Sequence, residues 1–139
     1  MDIDELFEKP CHVIDVMPQV VSADLTQEFS QLESFLLAPE QVRILRRKFA
    51  NIIMKLGCYF RLSASTDCGE TFTGGLTPAQ TQALFEQCVG AKCLYILAEQ
   101  QSSLITADGC DIYMSVYSES GRFLSLVREL AASEDLFFR

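Results

Sequence analysis

Six cysteines and one histidine are the residues of this sequence best suited to covalent or metal chemistry. Cys11 and His12 are neighbours, and a thiol beside an imidazole is the minimum for thiolate catalysis. Adjacent residues of a strand point to opposite faces, however, so the two side chains should diverge. Cys88 and Cys93, with Gly90 between them, come closest to zinc-ligand spacing, but their flanks resemble a helix end and a strand start. We therefore expect no catalytic residues, no metal site, no cofactor and six free thiols.

Recognised catalytic and nucleotide-binding motifs are missing from the sequence. It contains no GxxxxGK[ST], GxGxxG, GxSxG or HExxH pattern. Asp67 and Glu70 flank Gly69 and could coordinate a hard cation. The EF-hand spacing is absent, however, and a polar turn explains both residues. Gly74–Gly75 has no lysine nearby, so it predicts a flexible connection and not a phosphate loop. These observations favour a protein without enzymatic activity.

Two alternating runs place aromatic and charged residues on their polar sides. Tyr59 and Arg61 belong to the first run, and Asp111, Tyr113 and Tyr117 belong to the second. If the two strands lie side by side, this face offers tyrosine and arginine anchors, which are enriched at interfaces. Cross-strand packing explains the tyrosines equally well. We retain all five as candidate binding residues.

An apolar tail, Leu136, Phe137 and Phe138, forms a candidate interface. Three large apolar side chains left in water would create an aggregation-prone patch, so we expect them to be buried. They could add an edge strand to the same chain or contact a second copy. Because a homodimer is the commonest oligomer, we favour the second arrangement.

The composition of the chain limits the classes of partner that it can bind. A formal charge of −8 and a hydrophobic fraction of 49% indicate an acidic globular chain. The negative charge argues against binding to nucleic acid or to anionic membranes. No apolar run approaches the roughly 20 residues of a membrane span, and the first residues lack the pattern of a secretory signal. We expect a cytoplasmic protein whose partner is another protein or itself.

The longest predicted helix, residues 39–56, is the main element of the expected core. Its apolar residues recur with helical spacing and Phe49 lies at the centre of this stripe. The segment also holds five of the eleven basic residues. We interpret Arg43, Arg46 and Arg47 as part of a basic, solvent-facing surface.

The other predicted elements mix helices with hairpins. The pattern predicts strands at 11–16, 58–65, 70–73, 93–98, 103–107 and 110–117, and further helices from Thr26, from Thr77 and from Ser118 or Ser120. This order predicts a single α+β domain over residues 1–139, with helices packed on one face of a largely antiparallel sheet. The first strand through Ala98 could form a βαββαβ ferredoxin-like unit, extended by a C-terminal hairpin and helix.

Three passages, VIDVMP, KFANIIMKLGCYF and LAASEDLFF, span the start, middle and end of the sequence. They resemble passages in a family of small, uncharacterised bacterial cytosolic proteins. The shared residues are hydrophobic and structural. The resemblance implies a bacterial single-domain protein and transfers no activity, substrate or functional residue.

Two functions follow from these observations. The first is a non-catalytic, cytosolic protein-interaction module, acting through the strand face or the apolar tail. The alternative is a small-ligand-binding protein or an enzyme, with a pocket between sheet and helices. In that case the cysteines, or Tyr59, Arg61 and Asp111, would supply its polar groups.

Overall fold

A computed structural model describes residues 2–139 of the chain. The helices in this part are α1 (Ile3–Phe7), α2 (Thr26–Leu36), α3 (Pro39–Leu56), α4 (Pro78–Gln87) and α5 (Gly121–Ser133). The strands are β1 (Cys11–Asp15), β2 (Ser63–Ser65), β3 (Thr73–Gly74), β4 (Cys93–Ala98), β5 (Ser103–Asp108), β6 (Met114–Tyr117) and β7 (Phe137–Phe138). Among these described helices, none has both the length and the apolar character that crossing a membrane requires.

All strands join one antiparallel sheet, in the order β3-β2-β4-β5-β6-β1-β7. The α+β fold is therefore confirmed. The ferredoxin-like alternative is wrong, because a βαβ connection produces a parallel pair, whereas β1 pairs antiparallel with β6 and β7. The register explains this choice, since Ile14 lies opposite Met114 and both side chains are buried in the core.

Helices α3, α4 and α5 cover one face of the sheet. Phe49 from α3 and Phe85 from α4 are fully buried, and their ring centroids lie 6.5 Å apart. Thr77 begins α4 with a capping box in which Gln80 is the partner, and Ser120 caps α5. These local signals fix where each helix begins, and their apolar stripes then determine which side faces the sheet.

Helix α1 lies against the opposite face of the sheet, which differs from the one-faced arrangement expected. Leu6 of α1 packs with Leu97 of β4 and Leu104 of β5 in a second apolar cluster. Phe7 also makes edge-to-face contacts with Tyr95 and Tyr117. The continuous apolar run of β4 is therefore covered on both faces of the sheet.

Several predicted strands are shorter in the structure, and the predicted strand 70–73 is reduced to the two residues Thr73–Gly74 of β3. Only Ser63–Ser65 of the predicted strand 58–65 pairs in the sheet, because the backbone continues to turn after α3. The N–H groups of Tyr59 and Phe60 both donate to the carbonyl of Leu56. Similarly, only residues 114–117 of the predicted strand 110–117 are extended, and residues 109–113 form a longer connection.

Candidate ligand-binding pocket

A pocket of about 750 Å³ lies where three connections meet. Its walls come from the end of α2 and the start of α3, from the residues after α4, and from the connection between β5 and β6. Small-molecule sites commonly have volumes of about 300–1,000 Å³ and mainly apolar walls. The apolar lining residues used below are Leu37, Pro39, Val42 and Val89.

Arg46 is the buried charge at this pocket, with an exposed fraction of 1%. Its Nη2 donates to the carbonyl oxygens of Asp108 at 3.1 Å and Asp111 at 3.0 Å. Its Nε and Nη1, called the inner nitrogens below, have no hydrogen-bond partner within residues 2–139. The guanidinium carbon lies 5.6 Å from the ring centroid of Phe49, a cation–π distance.

Burial of Arg46 contradicts its assignment to the solvent-facing surface of α3. The side chain points inward, next to Phe49, whereas Arg43 and Arg47 are exposed. Burial lowers the pKa of the Arg46 guanidinium, and the nearby Cys88, Asp111 and Asp108 oppose that change. Arginine is so strong a base that it stays protonated at neutral pH even so.

The inner nitrogens are the unusual feature of the pocket. Buried polar groups in native proteins are nearly always hydrogen-bonded, and a buried donor left unpaired costs about 1–3 kcal/mol. Charged donors cost more than neutral ones. A ligand that accepts hydrogen bonds from these nitrogens would remove that cost, so the pocket is suited to an anion.

Close backbone packing holds the wall opposite α3. A Cβ on Gly109 would lie 2.4 Å from the carbonyl carbon of Val89, so only glycine fits. The Gly109 N–H donates to the Lys92 carbonyl at 2.9 Å, and the Cys110 thiol donates to the Gly90 carbonyl at 3.0 Å. These contacts join the two connections and thereby orient the carbonyl groups that bind Arg46.

Charged groups at the pocket have both signs. Arg43 lies one helical turn before Arg46 and is exposed, and Glu86 lines the pocket from α4. Asp111 stands behind Arg46, and burial is the main cause that raises the pKa of its carboxyl group, followed by the charge of Asp108. Glu86, Asp108 and Asp111 thus lie near the two arginines, so the surroundings of the pocket carry no excess of positive charge.

The structure separates the five candidate binding residues. Asp111, Tyr113 and Tyr117 lie in or just before β6, and Tyr117 packs against Phe7 of α1 with centroids 4.9 Å apart. Tyr59 is 60% exposed in the turn after α3, and Arg61 is exposed before β2. Strands β4 and β5 lie between β2 and β6, so the five residues do not form one face. Of the five, Asp111 lies beside the pocket, where its backbone carbonyl accepts a hydrogen bond from Arg46.

The apolar tail packs largely within its own chain. Leu136 is buried, and Phe138 stacks on His12 with ring centroids 5.2 Å apart while the Arg128 guanidinium covers it at 4.9 Å. Phe137 is 44% exposed. The tail thus adds the edge strand β7 to its own chain, which was the less favoured of the two arrangements considered, and contact with a second copy stays a prediction.

The cysteines and the potential metal ligands contribute little to the pocket. All six cysteines carry free thiols, and residues 2–139 contain no group of three or more side chains placed to hold a metal ion. Cys110 lines the pocket, but its thiol donates to a backbone carbonyl. The imidazole of His12, the histidine considered for catalysis, stacks on Phe138, and the Cys11 thiol lies near the backbone carbonyl of His12.

No protein-family model, curated protein or solved structure matches this chain. The resemblance to a bacterial family therefore stays a prediction.

Proposed function

We propose that this protein binds a small organic monoanion in the pocket beside Arg46. The apolar body of the ligand would pack on the pocket walls, and its single carboxylate would bind Arg46. This corresponds to the alternative function considered from the sequence. The inner nitrogens of Arg46 carry the proposal, because they are buried N–H donors of a residue that lines an apolar pocket, and no acceptor among residues 2–139 satisfies them.

The donor geometry supports an anionic group over a neutral one. Nη2 of Arg46 already binds the carbonyls of Asp108 and Asp111, so those bonds hold the guanidinium in place. Because the inner nitrogens are fully buried, a small movement of the pocket wall has to expose them, and a carboxylate oxygen then forms a charge-assisted hydrogen bond with them. Such bonds are roughly twice as strong as neutral ones.

Local and total charge support a monoanion. Glu86 lies at the pocket, and the chain has a formal charge of −8, so a dianion such as a phosphate monoester would meet more repulsion than a carboxylate. The exposed Arg43 offers attraction at the surface, which raises the local concentration of an anion.

The apolar walls would supply most of the binding free energy. Burial of apolar ligand surface contributes about 25 cal/mol for each Å², and a volume of about 750 Å³ accommodates a chain of eight or more carbons. We therefore expect affinity to increase with chain length until the pocket is full.

Calorimetric titration tests this function with straight-chain monocarboxylates from acetate to dodecanoate. Octanol, which has the same chain length as octanoate but no charge, serves as the neutral control. We expect octanoate to bind at least about tenfold more tightly than octanol, as a charged hydrogen bond of about 1.5 kcal/mol or more requires.

Variants of α3 provide the matched control. Arg46→Met should remove the preference for octanoate over octanol, whereas Arg47→Met, one residue later and exposed, should preserve it. Equal binding of acid and alcohol by the unmodified chain would contradict the proposal, as would an acid preference that survives in Arg46→Met.

One observation still supports a function in protein–protein contact. Strand β7 lies at the edge of the sheet, and Phe137 is partly exposed on it. Leu136 and Phe138 are already packed within the chain, however. Burial of the apolar tail was the main reason to expect a homodimer, and it does not require a partner. We therefore rank ligand binding first.

A further inference from the structure

The thiols of Cys68 and Cys93 lie next to each other, although 25 residues separate them in sequence. Their sulfur atoms are 3.2 Å apart. Cys68 is exposed in the connection between β2 and β3, and Cys93 is half-buried at the start of β4. A disulfide bond has a length of about 2.05 Å, so an approach of about 1.1 Å would join the two sulfurs.

A hydrogen-bonded turn holds Cys68 in this position. Ser65 Oγ accepts the Gly69 N–H at 2.9 Å, and the Asp67 carboxylate accepts both the N–H and the hydroxyl of Thr71. Within this turn Cys68 has a φ of 58°, a left-handed conformation that few side-chain-bearing residues adopt. The turn thus holds the thiol over β4.

Gly69 brings the same turn against the sheet. Its φ is +87°, and a Cβ there would lie 3.2 Å from Ile3 Cγ1 and 3.3 Å from Tyr95 Cδ2. The turn therefore packs between α1 and the residue two positions after Cys93 on the same strand. This packing limits how far the two sulfurs can separate.

The other thiols make different contacts. Each has its sulfur near a backbone carbonyl and away from a second thiol: Cys11 near His12, Cys58 near Met54, Cys88 near Lys92 and Ala107, and Cys110 near Gly90. The pair of Cys68 and Cys93 is thus the one suited to disulfide formation within residues 2–139.

We propose that Cys68 and Cys93 are a reversible disulfide site that reacts with hydroperoxides. The exposed Cys68 sulfur attacks one peroxide oxygen, the O–O bond breaks, and Cys68 becomes a sulfenic acid while the other oxygen leaves as water or alcohol. The Cys93 sulfur then attacks the Cys68 sulfur, the S–O bond breaks and water leaves with the Cys93 proton. The two thiols lose two electrons and the peroxide gains them.

The order of attack follows from exposure. Burial raises the pKa of Cys93 to about 11, with the neighbouring Cys68 as the next cause, so Cys93 keeps its proton at neutral pH. Cys68 is the more accessible sulfur and meets the peroxide first. Proximity of 3.2 Å then allows Cys93 to resolve the sulfenic acid.

Peptide mapping of the reduced full-length chain tests the site. The protein is treated with equimolar hydrogen peroxide, free thiols are alkylated, and digested peptides are analysed by mass spectrometry without reductant. We expect one cross-linked peptide containing Cys68 and Cys93, alkylation of the other thiols, and recovery of both cysteines with dithiothreitol. A different first disulfide, or overoxidised Cys68 without a cross-link, would overturn the proposal.

Variants and thermal unfolding supply independent measurements. In Cys93→Ser, Cys68 should stop at a sulfenic acid that dimedone traps, whereas Cys110→Ser should still form the cross-link. Oxidation of the unmodified chain should also raise its Tm by about 5–10 °C, because the bond restricts the unfolded state. If a variant fails to fold, the peptide map of the unmodified chain still decides the question.

Discussion

The carboxylate of Asp15 accepts a hydrogen bond from the guanidinium of Arg139, with Oδ2 and Nη2 2.5 Å apart. Asp15 ends β1 and is 6% exposed, and its other oxygen, Oδ1, accepts the N–H of Val16 at 2.7 Å. The backbone of Arg139 also exchanges two hydrogen bonds with Val13. Arg139 thus joins β7 to β1 through both its backbone and its side chain, across 124 residues of sequence.

Arg139→Met should destabilise the protein because it leaves the buried Asp15 carboxylate without its cation. We expect a loss of about 1–2 kcal/mol in the free energy of unfolding, measured by urea denaturation. The exposed Arg47→Met is the control and should change the value by less than about 0.5 kcal/mol. Equal values for the two variants would mean that the ion pair adds no net stability.

Phe49→Ala should be far more damaging, since Phe49 has no exposed surface and contacts Phe85 of α4. Removal of a buried phenylalanine side chain costs about 3–5 kcal/mol, which approaches the total stability of many domains. Arg47→Ala on the exposed side of α3 should stay within about 0.5 kcal/mol. Similar denaturation midpoints for both variants would show that the wrong face of α3 has been placed in the core.

Local signals predicted most of the helices and two central strands. Helix α3 has the predicted bounds, and β4 spans the predicted residues 93–98. Apolar periodicity, a capping box at Thr77 and the prolines that begin α3 and α4 act within a few residues, so sequence alone reveals them. The pairing of β1 with β6 depends instead on residues about 100 positions apart, which periodicity cannot detect.

The pocket was beyond sequence analysis for a similar reason. Its walls combine α3 with residues 89–90 and 109–110, which meet only after folding. Gly109 lies between the predicted strands 103–107 and 110–117, where sequence indicates only a turn, but the structure needs it for close backbone contact with Val89. Arg46 was assigned to solvent because arginine is usually exposed. A hint existed, since Arg46 lies three residues before Phe49 on the helix and so shares its side.

Arg46 substitutions should separate a structural role from a binding role. Arg46→Met replaces a buried charge by a flexible apolar side chain, and we expect unfolding free energy within about 1.5 kcal/mol of the unmodified value. Arg46→Ala should cost about 3 kcal/mol, because it opens a cavity and leaves the carbonyls of Asp108 and Asp111 without their donor. Equal losses in both variants would indicate that the guanidinium itself stabilises the fold.

Asp67 should make stability depend on pH in the acid range. Hydrogen bonds from the side chain of Ser65 and then from Thr71 lower its pKa from 3.8 to about 2. A carboxyl group with a lowered folded-state pKa stabilises the protein above 3.8, and this contribution is lost as the pH falls from 3.8 to about 2. Asp67→Asn should therefore lower the urea midpoint at pH 7, with the difference shrinking between pH 4 and pH 2.

The exposed Asp24→Asn is the control for this pH series. It should leave the urea midpoint close to that of the unmodified chain at every pH, because surface substitutions away from such hydrogen-bonded turns have small effects. A constant difference between Asp67→Asn and the unmodified chain across the whole range would contradict the assignment.

Sedimentation tests self-association, the remaining prediction for the apolar tail. Leu136 and Phe138 are packed inside the chain, so Phe137 on the edge strand β7 is the apolar group of the tail that is left for a two-fold contact. A patch of that size lies well below the roughly 1,000 Å² of a stable interface, and a charge of −8 on each copy opposes contact. We expect a monomer at high micromolar concentration. A dimer that Phe137→Ser disperses, with an unchanged Tm, would restore the homodimer hypothesis and place its contact at β7.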